Sequence, residues 1–419
     1  MAEVFGRTAV TAREFDLVLF GATGFVGGLT AEYIARSAPA GARIALAGRS
    51  ADKLAAVRDA LPGAGRDWQV IVVDASAPEE LAKRAKVVVT TVGPYAKYGL
   101  PLVKACAEAG THYADLTGEP QFIKECIDKF HDVAVSTGAK IVNACGYDSV
   151  PSDLNVYEIY RKSIADQTGE LESATLVASI KGGLSGGTVA SMRELMADMA
   201  DDPKVRKVMG DPYSLSADRS LEADLPEPRA TLAPASSIDP SLKGWVATFM
   251  MGPGNSKIVR RSNGLLGWAY GKHLRYYEVM STGESLASPL IAAGITGGMV
   301  AGFLGGPILA KFGVGRKLME KVAPKPGTGP SAESRENGWF TSQTFARTSS
   351  GAKYVATMSA QGDPGYKATS VMLGESGLSL AFDALSGAAG ILTPATAMGS
   401  SLTDRLRKAG FTIEIKRSA

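Results

Sequence analysis

Short apolar runs alternate with amphipathic stretches through the first third of the chain. The apolar runs lie near residues 16–20, 43–48, 68–73, 86–91, 111–115 and 139–144. Because helical patterns fill the intervals and the connections are short, this rhythm is typical of strands that lie parallel in one sheet with helices on both faces. The pattern predicts a doubly wound α/β domain over residues 1–152.

The rhythm changes after Pro151. Longer β-like segments, separated by irregular stretches, lie at residues 174–180, 245–250, 276–280, 340–346 and 354–358. Their spacing predicts a second, α+β domain over residues 153–370 with an antiparallel or mixed sheet. Residues 214–243 are rich in Pro, Ser, Asp and Ala, and we expect a surface loop or a mobile lid there. A helical pattern returns over residues 371–419, which we expect to pack back on the first domain.

The first apolar run ends in a glycine-rich turn that a helical pattern follows. The turn consists of Gly21, Ala22, Thr23, Gly24, Phe25, Val26 and Gly27. Here Gly21 permits a sharp turn, Gly24 lets backbone amides approach a pyrophosphate, and Gly27 lets the helix pack closely on the strand. The alternative is a tight turn without a ligand. Because the turn lies between a predicted strand and a predicted helix, we favour dinucleotide binding by a Rossmann domain.

The residues after the second predicted strand select the form of the cofactor. An acidic side chain there binds the 2′-hydroxyl of NAD, whereas an arginine accommodates the 2′-phosphate of NADP. This chain has Arg49 and Ser50, which favours NADP (NADPH) over NAD. The alternative is a solvated arginine beside a serine that caps the next helix. Asp74, after the third predicted strand, is placed either to meet the adenine edge or to cap the following helix.

Polar side chains collect where the fourth, fifth and sixth predicted strands end. Gly93 and Pro94 follow the fourth strand, and we expect them near the nicotinamide. The candidate catalytic residues are Tyr95, Tyr147 and Asp148. Tyrosines and carboxylates in a crevice beyond the carboxyl ends of parallel strands can donate or relay a proton. For the carboxylates of these loops, among them Asp115 and Asp153, the capping of a helix or the tying of a loop is an equal alternative.

Residues 285–310 form a stretch of 26 positions without a charge. Glycines recur at every fourth position, at Gly294, Gly298, Gly302 and Gly306. Such a ridge permits close contact between helices, typically in a membrane, but the 17 residues between Pro289 and Pro307 are fewer than the roughly 20 that span a bilayer. With basic residues on both sides, the segment suits peripheral contact with lipid. A buried core helix or a homodimer interface is an equal alternative, and a helix that spans the membrane is a third.

Composition excludes several classes of function. The 45 basic and 42 acidic residues nearly balance, so we expect no nucleic acid as a partner. Three cysteines and three histidines show no ligand spacing, which predicts neither a disulfide framework nor a metal site. The first residues lack the apolar core of a secretory signal, and the cysteine content fits a reducing compartment, so we expect a cytoplasmic protein. The Tyr-x-x-x-Lys pair of short-chain dehydrogenases does not occur.

Several motifs together give a specific resemblance. They lie at residues 21–27, 47–50, 92–95, 113–119, 146–153, 325–330 and 362–369. On these motifs the chain resembles the saccharopine dehydrogenase-like proteins, and within them it is most similar to the actinobacterial trans-acting enoyl reductases. The resemblance covers nearly the whole chain.

The resemblance implies an NAD(P)-dependent oxidoreductase that acts on CH–CH bonds. It implies a lipidic or acyl-thioester substrate presented by a polyketide synthase, in the biosynthesis of phthiocerol and phenolphthiocerol lipids. For such a reaction we expect hydride to add to the β carbon and Tyr95 or Tyr147, directly or through a water molecule, to protonate the α carbon. The alternatives are a related reductase of another substrate and a non-catalytic NADP-binding scaffold that associates with lipid.

Overall fold

A computed structural model describes residues 13–182, 186–223, 225, 231–311, 329–385 and 387–418 of the chain. Within these ranges the strands form two seven-stranded sheets, and helices pack on both of them. We call the sheet that contains the first strand sheet A, and the other sheet B.

Sheet A is the parallel sheet that the sequence predicts. Its strands are β1 (Phe15–Phe20), β2 (Ile44–Gly48), β3 (Gln69–Val72), β4 (Ala85–Thr90), β5 (His112–Ala114), β6 (Lys140–Val142) and β13 (Gly390–Leu392). Every pairing is parallel, and the strand order is β13-β6-β5-β4-β1-β2-β3. The order reverses between β1 and β4, and in such sheets a ligand crevice opens beyond the carboxyl ends of the strands at this point. The predicted Rossmann-type α/β fold is confirmed.

The central strands of sheet A are apolar at consecutive positions because both faces are buried. Leu17 and Leu19 of β1 belong to one core cluster, whereas Val18 and Phe20 belong to the other. Successive side chains of a strand point to opposite faces, so a strand covered on both sides needs apolar residues throughout. The helices that connect these strands are α1 (Phe25–Ser37), α2 (Ala51–Ala60), α3 (Glu79–Arg84), α4 (Tyr95–Tyr98), α5 (Leu100–Ala109) and α6 (Pro120–Thr137).

Sheet B is mixed, as predicted for the second domain. Its strands are β7 (Leu171–Lys181), β8 (Leu232–Pro234), β9 (Trp245–Thr248), β10 (Arg275–Ser281), β11 (Trp339–Thr348), β12 (Lys353–Gln361) and β14 (Thr412–Ser418). Their order is β14-β12-β11-β7-β10-β9-β8, in which only the pair of β7 and β10 is parallel. The remaining described helices are α7 (Val150–Ala165), α8 (Gly186–Asp201), α9 (Pro203–Gly210), α10 (Gly252–Leu265), α11 (Ser288–Lys311), α12 (Ala332–Glu336), α13 (Thr369–Phe382), α14 (Pro394–Ala397) and α15 (Ser400–Lys408).

The last part of the chain contains strands as well as the helices that its pattern predicts. β13 extends sheet A beside β6, and β14 extends sheet B beside β12. α13 packs against sheet A so closely that a Cβ at Gly377 would lie 2.4 Å from the Val89 side chain. The helical description of residues 371–419 is thus corrected, because pairing with distant strands creates two strands there.

Residues 214–243 are only partly a surface loop. The described part contains β8, and Leu215 and Ala235 are buried. Residues 224 and 226–230 lie outside the described residues, so the prediction of a mobile lid stays a prediction.

The uncharged segment forms α11, a helix with one face on sheet B. The hydroxyl of Ser288 accepts a hydrogen bond from the Trp245 amide at 3.1 Å, and that of Thr296 accepts one from the Thr248 amide at 3.2 Å. On the opposite side Leu290 is 77% exposed, and a Cβ at Gly294 or Gly298 would meet open space. α11 therefore has an exposed apolar face, and the described part of the chain contains no helix that is long and apolar enough to cross a membrane.

Candidate functional site

The glycine-rich turn after β1 has the geometry of a phosphate-binding loop. Gly21 has a φ of +95°, a left-handed conformation that other residues rarely adopt. The Gly24 amide donates to the Gly21 carbonyl at 2.9 Å and closes the turn. A Cβ at Gly27 would lie 2.2 Å from the same carbonyl oxygen and 2.8 Å from Thr91 Oγ1. Glycine at positions 21 and 27 therefore holds the loop, the first turn of α1 and the end of β4 in contact.

The first turn of α1 presents backbone amides to the crevice. Phe25 and Val26 open the helix, and Gly24 at the N-cap has no side chain to occupy the free N–H groups. Thr23 and Gly24 are exposed, whereas Ala22 is buried beneath the loop. No acidic side chain lies in this turn. A pyrophosphate fits this cradle, because unpaired amides and the positive end of the helix dipole both favour an anion.

Arg49 and Asp74 lie beyond neighbouring strands of sheet A. Hydrogen bonds from Ser76, together with the charge of Arg49, lower the pKa of Asp74. Asp74 accepts from the Ser76 amide at 2.9 Å and so closes a turn, while Ser50 accepts from the Lys53 amide at 3.5 Å and caps α2. The capping roles that the sequence left open for Ser50 and Asp74 are thus present. The side chain of Arg49 is exposed beside them and is free to meet an anion.

Tyr95 lies where β4 ends, but its hydroxyl is already used within the fold. Gly93 and Pro94 precede it and are joined by a cis peptide bond. The side chain is buried, and its hydroxyl donates to the Thr90 carbonyl at 3.1 Å. The amide of Tyr95 donates to Glu119 at 3.0 Å, which fixes the loop to the start of α6. This arrangement favours a positioning role for Tyr95 over the catalytic role that the sequence suggested.

Asp148 occupies the crevice between the loops that follow β5 and β6. A Cβ added to Gly118 would lie 3.1 Å from its Oδ2, and Gly118 is exposed. Asp148 itself is partly exposed, and burial of the carboxyl raises its pKa to about 6. Its neighbour Tyr147 is buried, with its ring 4.8 Å from that of Phe340 on β11. Of the three predicted catalytic residues, Asp148 is therefore the one that is partly exposed, whereas Tyr95 and Tyr147 are buried.

Two other carboxylates of these loops have structural partners. Asp115 accepts from the Ala144 amide at 2.9 Å and from Asn143 at 2.8 Å, and it thereby holds Ala144 at a φ of 62°. Asp153 accepts from the Ala395 amide at 2.8 Å and joins α7 to α14. Burial raises the pKa of each to about 6. Both residues follow the alternative in which carboxylates tie loops.

The second domain adds a buried carboxyl that the sequence analysis missed. Glu278 of β10 accepts from Tyr276 at 2.7 Å and from Asn255 at 2.8 Å, and Asn255 in turn accepts from Ser149 at 3.0 Å. Burial raises the pKa of Glu278 to about 7. Ser149 follows Asp148, so this network supports the loop that carries Asp148. A lone acid inside the apolar run of β10 was the available signal.

The motif at residues 362–369 joins the two ends of the crevice. Thr369 Oγ1 accepts from the Tyr147 amide at 3.0 Å, behind the loop that carries Asp148. Tyr366 packs edge-on against Phe25, the first residue of α1, with 5.1 Å between ring centroids.

Comparison with known proteins agrees with this geometry. Residues 17–142 match the model of the saccharopine dehydrogenase NADP binding domain. A putative trans-acting enoyl reductase of Mycobacterium tuberculosis is 52% identical over 98% of this chain and 99% of its own length. A trans-acting enoyl reductase of Mycobacterium ulcerans is 49% identical over 97% of this chain and 98% of its own length.

A solved structure gives the same picture of the fold. Saccharopine dehydrogenase (L-Glu forming) of Saccharomyces cerevisiae aligns with a TM-score of 0.55 at 13% identity, over 96% of this chain and 99% of that one. At this level of identity the match concerns the fold alone. The match to the binding-domain model and the glycine cradle together assign a nicotinamide cofactor to the crevice of sheet A.

Proposed function

Because the chain belongs to the trans-acting enoyl reductases of the saccharopine dehydrogenase-like family, and is thereby an oxidoreductase of C=C bonds, we propose that it reduces an α,β-unsaturated acyl thioester with NADPH. The observation that supports this proposal is that Asp148 follows β6 beside Gly118, at the same carboxyl edge of sheet A where the glycine-rich turn follows β1. When bound, the dihydronicotinamide supplies a hydride for the β carbon of the double bond.

Within this proposal, Asp148 provides the proton for the α carbon. Its raised pKa keeps a useful fraction of the carboxyl protonated near neutral pH, as a general acid requires. Glu119 and Asp115 hold the loops around it, and Tyr95 and Tyr147 position those loops. The amides at the start of α1 hold the pyrophosphate, while Gly93 and Pro94 lie at the edge of the crevice, after the end of β4.

The test of the reaction is turnover with a 2-enoyl thioester. We expect loss of NADPH fluorescence only when the thioester is present, and a product that has gained two hydrogens by mass spectrometry. Asp148→Asn should lower kcat roughly 100-fold or more and remove the decline of kcat above pH about 6. Bound NADPH that no enoyl thioester oxidises would count against an enzyme and favour a cofactor-binding scaffold.

For the cofactor we propose NADP, with Arg49 binding the 2′-phosphate. Arg49 is exposed at the position that distinguishes the two cofactors, and its nearby acid Asp74 is engaged by Ser76. Arg49→Ala should weaken NADPH binding roughly 10-fold or more and leave NADH binding within twofold. Equal losses for both cofactors would exclude this assignment.

We further propose that the substrate is a lipidic chain, of the phthiocerol and phenolphthiocerol type, that a polyketide synthase presents. The support is twofold: relatives are named trans-acting, and α11 carries an exposed apolar face. An exposed apolar helix face adsorbs to lipid in proportion to its apolar area. We therefore propose peripheral contact with the membrane through α11, where such chains would accumulate.

Liposome flotation tests this contact. The double variant Leu290→Glu and Ile291→Glu places charge on the exposed face of α11 and should abolish flotation. Val72→Glu is the matched control, since Val72 is an exposed apolar residue of β3 and should leave flotation unchanged. Flotation that persists in the α11 variant would refute the lipid contact, and a dimer that dissociates in that variant would favour the homodimer alternative.

A further inference from the structure

A segment of the second domain lies directly over the phosphate loop. Gly329 approaches Phe25 so closely that a Cβ there would lie 2.3 Å from the ring. Tyr366, which follows β12 in the chain, contacts the same ring. Phe25 is the first residue of α1, so both contacts lie at the helix end that receives the pyrophosphate.

Arg335 of α12 brings a cation to this position. Its guanidinium carbon lies 5.2 Å from the centre of the Phe25 ring. One of its nitrogens donates to the Pro330 carbonyl at 2.7 Å, which orients the side chain. Among the residues that the structure describes, no carboxylate lies within ion-pair distance of Arg335 and no second acceptor meets its guanidinium. A guanidinium has five N–H donors, so most of them remain for a ligand.

The neighbouring cation differs in this respect. Lys367 lies in the adjacent turn and forms an ion pair with Glu336, which offsets its charge. Arg335 is therefore the cation near the phosphate loop whose charge is uncompensated within the described residues. Planar guanidinium groups bind phosphate oxygens with two parallel hydrogen bonds, which suits a pyrophosphate.

We propose that Arg335 binds the pyrophosphate of the nicotinamide cofactor from the second domain. The cofactor is then held between two surfaces, with the amides of α1 on one side and the guanidinium on the other. The Phe25 ring holds the Arg335 guanidinium within reach of the pyrophosphate, and glycine at position 329 lets the chain approach that ring. This inference depends on the nicotinamide site, and it is independent of which acyl substrate the protein reduces.

Two fragments of the cofactor separate this role from that of Arg49. ADP-ribose contains the pyrophosphate without a 2′-phosphate, and 2′-AMP contains the 2′-phosphate without a pyrophosphate. Arg335→Gln should weaken ADP-ribose binding roughly 10- to 100-fold and leave 2′-AMP binding within twofold, as measured by calorimetry. Arg49→Gln should show the reverse pattern. Lys367→Gln, which removes one positive charge from the same surface, should leave both affinities within about twofold because Glu336 already offsets Lys367.

Three results would overturn the proposal. Arg335→Gln that binds ADP-ribose as the wild type does would show that the guanidinium does not meet the pyrophosphate. Equal losses for ADP-ribose and 2′-AMP would show that Arg335 only supports the loop. Equal losses of ADP-ribose affinity in Lys367→Gln and Arg335→Gln would show that the effect comes from the net positive charge of this surface. None of these results bears on the enoyl reductase activity, which turnover of the thioester tests separately.

Discussion

Two adjacent glycines of α1 allow a paired test of the phosphate loop. Gly27 and Gly28 both lie in the first turns of the helix, but their surroundings differ. A Cβ at Gly27 would lie 2.2 Å from the Gly21 carbonyl oxygen, and one at Gly28 would lie 3.8 Å from its nearest neighbour, the Ala22 carbonyl oxygen. Only the first distance is impossible for a real side chain, so only the first substitution must move the backbone.

The size of the effect follows from this distance. Cβ atoms essentially never approach another atom within 3.0 Å, so Gly27→Ala must part the loop and α1 by roughly 0.8 Å. Overpacking of this kind costs about 1–3 kcal/mol, and here the strain is at the atoms that hold the pyrophosphate. If binding bears this cost, the Kd for NADPH rises roughly 5- to 150-fold. Gly28→Ala instead gains about 0.5–1 kcal/mol, because alanine favours the helix without a clash.

The assay compares both variants with the wild type by NADPH fluorescence titration and by thermal unfolding with and without NADPH. We expect weaker binding and a smaller stabilisation by NADPH in Gly27→Ala. Gly28→Ala should bind as the wild type does and melt at the same or a higher temperature. Wild-type affinity in Gly27→Ala, or an equal loss in both variants, would refute the argument that close contact at Gly27 shapes the cofactor site.

Three further predictions concern residues outside the phosphate loop. Tyr95→Phe removes the hydrogen bond to the Thr90 carbonyl, so it should cost about 1 kcal/mol in denaturant unfolding while kcat changes less than tenfold; a loss as large as that of Asp148→Asn would make Tyr95 catalytic. Arg261 is buried and donates to the Leu215 carbonyl, so Arg261→Ala should lower the free energy of unfolding by about 2–5 kcal/mol. The control Arg275→Ala, at an exposed arginine, should lower it by less than about 0.5 kcal/mol. Similar losses in the two variants would contradict this prediction. Burial raises the pKa of Glu278 from 4.5 to about 7, so its contribution to stability is complete below pH about 4.5 and is lost as the pH rises to about 7. Glu278→Gln should therefore reduce the change of the unfolding free energy with pH between these two values. An unchanged pH dependence would exclude Glu278 as its cause.

The sequence could reveal the sheet of the first domain and its phosphate loop because both depend on local rules. A strand buried on both faces must be apolar at successive positions, as β1 is. A turn that needs a left-handed residue at Gly21 and a close approach at Gly27 must place glycine at both. These requirements act within a few residues, so they leave a mark that is visible without the structure.

Other parts of the fold left weaker marks. β13 is a three-residue strand, and it exists only because Gly390–Leu392 pairs with β6, roughly 250 positions earlier in the chain. α11 has an apolar composition all round, and only its contact with β9 divides it into a buried and an exposed face. No local pattern specifies such pairings.

The sequence by itself determined which side chains could perform chemistry, and the tertiary structure decided which of them face the crevice. Tyr95, Tyr147 and Asp148 were all sequence candidates, with a tyrosine expected to donate the proton, but the fold turns the Tyr95 hydroxyl to the Thr90 carbonyl and leaves Asp148 beside the exposed Gly118. The second wall of the site depends on contacts across long separations, such as the 222 positions between Tyr147 and Thr369. The direction in which a side chain points depends on what packs around it, and that packing forms only when distant segments meet.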